Sequence, residues 1–137
     1  MSTLIIEKAK LKNLKDLIYL LFDDDLGKDR ENISETSFNN YKKSFMKILN
    51  DTNNEIFIMV LNDQIIGMMQ LTFIPGLSME GMTRCQIESV RIKKDYRNKG
   101  YGSELIKKGI EIAKLNKCGL IQLTSNKKRL KAINFYK

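Results

Sequence analysis

Between Glu55 and Ile92 the sequence holds three strand patterns in succession, with no helical period to separate them. Residues 55–61 and 65–73 are rich in Ile, Val, Met and Phe, and only Asn62-Asp63 and Gln64 lie between them. Asn and Asp both tolerate positive φ, so this dipeptide predicts a tight hairpin turn. Pro75-Gly76 breaks the second strand, and residues 84–92 form a third. Parallel neighbours need a crossover of about a dozen residues or more, and none is available here. The middle of the chain is therefore an antiparallel run, and a doubly wound sheet is excluded.

The flanks complete the order. Leu4, Ile5 and Ile6 predict a first strand. Asn13 caps a helix running to about residue 23, with Leu14, Leu17, Ile18 and Leu21 at helical spacing. Phe38, Tyr41, Phe45, Ile48 and Leu49 repeat that period and predict a second helix over residues 37–50, ended by a turn cluster at 51–54. After the basic turn at 93–99 a long helix is expected from about residue 100 to 116, ended by Gly119 in the left-handed conformation. A short strand over 120–124 and a last helix over 127–136 follow. The order is β-α-α-β-β-β-α-β-α, an α+β (mixed α/β) arrangement whose sheet is mostly antiparallel, and 137 residues suit one domain.

The chain contains no histidine. That removes Ser-His and Cys-His nucleophilic machinery together with the commonest metal ligand, so no metal is expected. Cys85 and Cys118 have no His partner and read as small core residues. Two cysteines make no disulfide framework, charge follows the first apolar residues too soon for a signal peptide, and no apolar run reaches membrane-spanning length. A cytoplasmic protein with no membrane partner is expected. Residues 1–83 carry 9 Lys/Arg against 12 Asp/Glu, whereas residues 84–137 carry 15 against 4. A basic second half suits an anionic ligand.

The segment Arg97-Asn98-Lys99-Gly100-Tyr101-Gly102-Ser103 stands where that charge, two glycines and a helix start coincide. Glycines admit close backbone approach, and a helix N-terminus offers unpaired N–H groups, so the segment can cradle a pyrophosphate. A Rossmann fingerprint would need glycine where Leu105 stands, and a Walker A loop would need lysine where Met82 stands. Both fail. With the strand before it and the helix after it, residues 86–136 resemble the core of the GNAT superfamily of acyl-CoA-dependent N-acetyltransferases, and the element order is similar over nearly the whole chain. The resemblance implies acetyl-CoA as cosubstrate. Arg97, Asn98, Lys99, Gly100, Tyr101, Gly102 and Ser103 would hold its pyrophosphate, and Val90, Arg91 and Ile92 would line its pantetheine arm. Residues 120–124 would splay away to admit it.

Amine acetylation needs a base, a polarised thioester carbonyl and an acid for the departing thiolate. Glu88 is the sole carboxylate of its strand, and strict alternation puts it on the face of Val90 and Ile92. The resemblance implies that it is the general base. Its other reading is an ion pair that only holds the fold. The backbone N–H of Val90 or Arg91 could polarise the carbonyl. Tyr136, after Phe135, matches the family's tyrosine acid. Arg129 replaces an asparagine that usually contacts the coenzyme, with Asn126 as a nearby substitute. The family continues through further strands where this chain stops at Lys137, so a domain 1–137 shortened at its C-terminus is expected, as monomer or homodimer. Asp23-Asp24-Asp25 and the apolar loop 74–82 are candidate walls for an amine acceptor. Two alternatives stand beside the enzyme: a basic nucleic-acid-binding module, against which the absence of base-reading helices and stacking aromatic pairs speaks, and a relative that binds acyl-CoA without turnover.

Overall fold

The computed structural model describes residues 3–23, 31, 34–124 and 130–134. Six strands form one sheet in the order β1 to β6: β1 Leu4–Lys8, β2 Asn54–Leu61, β3 Gln64–Pro75, β4 Thr83–Ile92, β5 Leu120–Thr124 and β6 Leu130–Asn134. Among the described residues three longer helices flank it, α1 Leu14–Phe22, α2 Glu35–Leu49 and α3 Tyr101–Leu115, with a single short helical turn at Ser78–Gly81 between β3 and β4. All neighbouring strands pair antiparallel except β4 and β5, which are parallel and joined through α3. The mixed α+β architecture is the expected one. No helix among the described residues is long and apolar enough to cross a membrane.

The Asn62-Asp63 hairpin forms as expected, with φ of 49° and 68°, both left-handed. Each face of the sheet buries its own cluster. On one face Phe57, Met69, Leu71, Cys85 and Ile87 pack with Leu105 and Ala113 of α3. On the other, Ile56, Ile58 and Met68 pack with Leu14, Leu17 and Ile18 of α1 and Phe45 of α2. Gly109 lets α3 lie close to the sheet, since a Cβ there would stand 3.0 Å from Ile87 Cδ1.

Three sequence expectations are corrected. The residue that ends α3 in the left-handed conformation is Lys117, with φ 58°, and not Gly119. Cys118 N–H donates to Ala113 O and Lys117 N–H to Lys114 O, both at 3.0 Å, the paired bonds of a Schellman ending. That motif fixes its left-handed position by distance from the last helical turn, and Gly119 lies two residues too late. Instead, Gly119 N–H donates to Thr83 O at 3.0 Å and leads into β5.

The second correction concerns residues 130–134. They form β6, antiparallel to β5, where the sequence predicts part of a last helix. A short apolar run is ambiguous between the two states by periodicity. Pairing along β5 satisfies backbone groups that a helix would leave to itself, and Leu120 meets Asn134 while Thr124 meets Leu130.

The third correction lies in β4. Gln70 of β3 pairs with Glu88, but Met68 pairs with Arg91, so Ser89 and Val90 together stand opposite Met69. Ser89 has φ 53°, and this bulge reverses the alternation. Val90 and Ile92 consequently pack on the cluster that holds Cys85 and Ile87. They do not share the face of Glu88, which strict alternation would have given them.

Candidate active site

The two parts of β4 are paired differently. In the first, β4 is paired on both edges: with β3, and with β5 from Arg84↔Leu120 to Ile87↔Leu123. From Glu88 to Ile92 only the β3 edge is paired among the described residues, because the register with β5 ends at Leu123. An unpaired strand edge exposes backbone N–H and C=O groups that another extended chain can satisfy. Glu88 stands at the start of this open edge and is half-buried. Among the described residues, its carboxylate has no hydrogen bond or ion pair. The ion-pair reading therefore finds no partner there.

β4 runs directly into the glycine turn. Lys94–Tyr96 makes one tight 3-10 turn, Asn98 takes φ 62° and Gly100 takes φ 90°. Gly100 is the N-cap of α3 and supplies no side-chain cap. The first bond of the helix runs from Glu104 N–H to Gly100 O at 3.1 Å. Among the described residues, the N–H groups of Tyr101, Gly102 and Ser103 thus lack an acceptor at the positive end of the helix dipole. Lys93, Lys94 and Lys99 are exposed in the segment that leads into them. Lys99 Nζ stands 6.0 Å from the Tyr96 ring, which meets Tyr101 edge-on at 6.3 Å.

The two glycines have different causes. Gly100 is required by its positive φ. Gly102 is not, and a Cβ on it would meet nothing nearer than Ile92 Cγ1 at 3.8 Å, an ordinary contact. A glycine near a helix start that neither backbone conformation nor packing demands leaves room for something outside the protein. The open edge of β4, the uncapped amides and the space at Gly102 together fit an elongated ligand ending in an anionic group.

Arg97 behaves differently from the expectation that it faces the phosphates. Its Nε donates to Ile92 O at 2.9 Å and its Nη2 to Asp23 O at 2.6 Å, with Asp23 Oδ2 at 4.0 Å. Sequence reasoning missed this partner because it lies 74 residues away. A cavity of about 460 Å³ beside this contact is lined by Tyr19, Phe22, Asp23, Ile65 and Lys93. Arg91 Nη1 donates to Val90 O at 3.0 Å. Of the expected loop 74–82, Ile74 and Pro75 instead end β3, and the connection 76–82, with exposed Leu77 and Met79, stands at the opposite end of β4 from the glycine turn.

Both cysteines are buried in the α3-side cluster. Burial, reinforced by Cys118 and Glu55, pushes the Cys85 thiol up to about 12, and burial also raises Cys118. Neither is an available thiolate at neutral pH. Asn126, Arg129 and Tyr136, with Asp24 and Asp25, lie outside the described residues.

The acetyltransferase (GNAT) family model matches residues 14–137. No curated protein matches the chain. A transcriptional regulator from Bacillus halodurans C-125 is 38% identical, with a TM-score of 0.87 over 93% of this chain and 85% of that one. Glucosamine-6-phosphate N-acetyltransferase from Arabidopsis thaliana is 16% identical, with a TM-score of 0.74 over 90% of this chain and 83% of that one. A protein from Clostridium acetobutylicum described as a predicted acetyltransferase, solved with acetyl-CoA, is 18% identical, with a TM-score of 0.72 over 93% of this chain and 84% of that one. At the lower identities the likeness concerns the fold. With the family model covering most of the chain, the protein belongs to the GNAT family of acetyltransferases.

Proposed function

We propose that the protein is a cytoplasmic N-acetyltransferase that moves an acetyl group from acetyl-CoA directly to a primary amine of a small molecule or peptide. The observation that carries this reading is the junction of two backbone surfaces left without partners among the described residues: the edge of β4 from Glu88 to Ile92 and the amides of Tyr101, Gly102 and Ser103. When bound, acetyl-CoA supplies an activated thioester. The amides at residues 101–103 and the neighbouring lysines hold its pyrophosphate, and Val90, Arg91 and Ile92 line its arm. Glu88 takes the proton of the incoming ammonium, directly or through water, and the N–H of Val90 or Arg91 polarises the acyl oxygen. By family resemblance, Tyr136 returns a proton to the thiolate, while Asn126 and Arg129 add coenzyme contacts. Direct transfer is favoured over a covalent route because Cys85 is buried and its thiol is pushed up to about 12.

The test is a thermal-unfolding scan with excess acetyl-CoA beside equal ATP and NADP. A ligand at 100 times its dissociation constant adds about 2.7 kcal/mol, which raises the midpoint visibly. A shift for acetyl-CoA alone supports the reading, and no shift for it refutes the coenzyme site. A shift with turnover on no amine favours the non-catalytic acyl-CoA binder.

A second reading is favoured by one observation, the 38% identical relative described as a transcriptional regulator. Nucleic-acid binding through the basic second half predicts affinity for duplex oligonucleotides that falls steeply with salt. Equal thermal shifts for all three anions would move this reading ahead.

A further inference from the structure

We propose that Arg97 is a positioning residue that ties the glycine turn to the C-terminal end of α1, and is not a ligand of the coenzyme phosphates. The proposal rests on the acyl-CoA reading for what the turn holds, and on geometry for what Arg97 does.

The guanidinium is already committed on two sides. Nε takes the carbonyl of Ile92, the last residue of β4, and Nη2 takes the carbonyl of Asp23, the C-cap of α1. Asp23 N–H closes the helix on Tyr19 O at 2.8 Å, so its carbonyl is among the first to point beyond the last turn. A fixed positive charge at that end complements the helix dipole and the Asp23 carboxylate, whose Oδ2 is 4.0 Å from Nη2. The same contact explains why an acidic residue is tolerated at a helix C-terminus, where it otherwise opposes the dipole. No other side chain has this shape: Arg offers donors in a rigid planar fork, whereas Lys offers a single point charge.

Two segments distant in sequence are thereby held in register. One is the turn that presents the amides of Tyr101, Gly102 and Ser103. The other is the end of α1, whose Leu17, Ile18 and Leu20 are anchored in the core and from which the chain leaves toward α2. Arg97 thus makes the coenzyme turn and the α1 end move together, so occupancy at the turn is felt at α1.

The experiment compares the wild-type protein with Arg97→Lys and Arg97→Gln by amide hydrogen exchange at residues 19–23, by calorimetric titration with acetyl-CoA, and by steady-state kinetics. Loss of hydrogen bonds to a charged group should speed exchange at 19–23 by about ten- to a hundredfold in both ligand-free variants. Acetyl-CoA should slow that exchange in the wild type and in neither variant. The two variants should bind acetyl-CoA with similar affinity, and the KM for the amine should rise more than kcat falls. Unchanged exchange at 19–23 overturns the tie. So does an affinity kept in Arg97→Lys and lost in Arg97→Gln, the mark of a phosphate ligand acting by charge. If none of the three chains binds acetyl-CoA, the coenzyme reading falls, and exchange in the ligand-free proteins still upholds or overturns the tie.

Discussion

Gly102 faces Ile92 across room for a methyl group: a Cβ at position 102 would stand 3.8 Å from Ile92 Cγ1, while one at Gly100 would meet nothing within 4 Å. The two positions nevertheless respond in opposite ways to alanine. Gly102→Ala should leave the ligand-free protein as stable as before or raise its stability by about 0.5–1 kcal/mol, the usual helix gain. It should also weaken acetyl-CoA binding at least about tenfold, because the methyl group occupies the approach to the amides. Gly100→Ala should cost about 1–2 kcal/mol through its left-handed φ of 90°. Denaturant melts with and without ligand separate these effects.

Glu88 is half-buried at the point where β5 leaves β4, with no partner for its carboxylate among the described residues. Glu88→Gln preserves shape and removes the base. We expect kcat to fall by about 10²–10⁴ with the acetyl-CoA dissociation constant changed less than about threefold. Wild-type turnover in this variant at every pH tested would sink the assigned role.

The buried thiol of Cys85 makes stability depend on alkaline pH. Its folded-state value of about 12 lies above the ordinary 9.0, so the folded protein holds this proton more tightly than the unfolded chain does. Its contribution is fully present below pH 9 and declines as pH rises from there toward about 12. The melting midpoint of the wild type should therefore fall above pH 9, and that of Cys85→Ala should fall less steeply. Alkylation of either cysteine at pH 8 should require unfolding first.

Local chemistry made much of this molecule legible in its sequence. Asn62-Asp63 announces its own turn because few residue types accept two consecutive positive φ values, and α1 and α2 are visible from Leu14, Leu17, Ile18, Phe45 and Ile48 at helical spacing. The glycine turn is legible because its glycines, charges and helix start coincide. What escaped depends on partners or on register. Nothing in Ser89-Val90 marks a bulge, since it belongs to the register with β3, where both residues stand opposite Met69, and every side-chain direction after it reverses. Lys117 holds the left-handed position a glycine would ordinarily take, so Gly119 marks the helix end two residues late. The last residues of the chain are too short a run for periodicity to distinguish a helix from the strand Leu130–Asn134. The sequence neighbours of Arg97 point to a phosphate, whereas its acceptor at Asp23 is visible only in three dimensions.

The pairing of β1 with β2 has a consequence for how the chain assembles. β2, β3 and β4 follow one another through short connections, but Leu4 must wait for Leu61 and Lys8 for Phe57. During synthesis β1 leaves the ribosome long before its partner β2 exists, together with an α1 whose apolar stripe has no sheet to cover. The β2–β3 hairpin is the local nucleus on which these early segments can settle, and long loop closure makes β1 a late arrival. Folding kinetics should therefore give high φ-values around Met59 and Met69 and values near zero in β1, so that a strand made before its neighbours is folded after them.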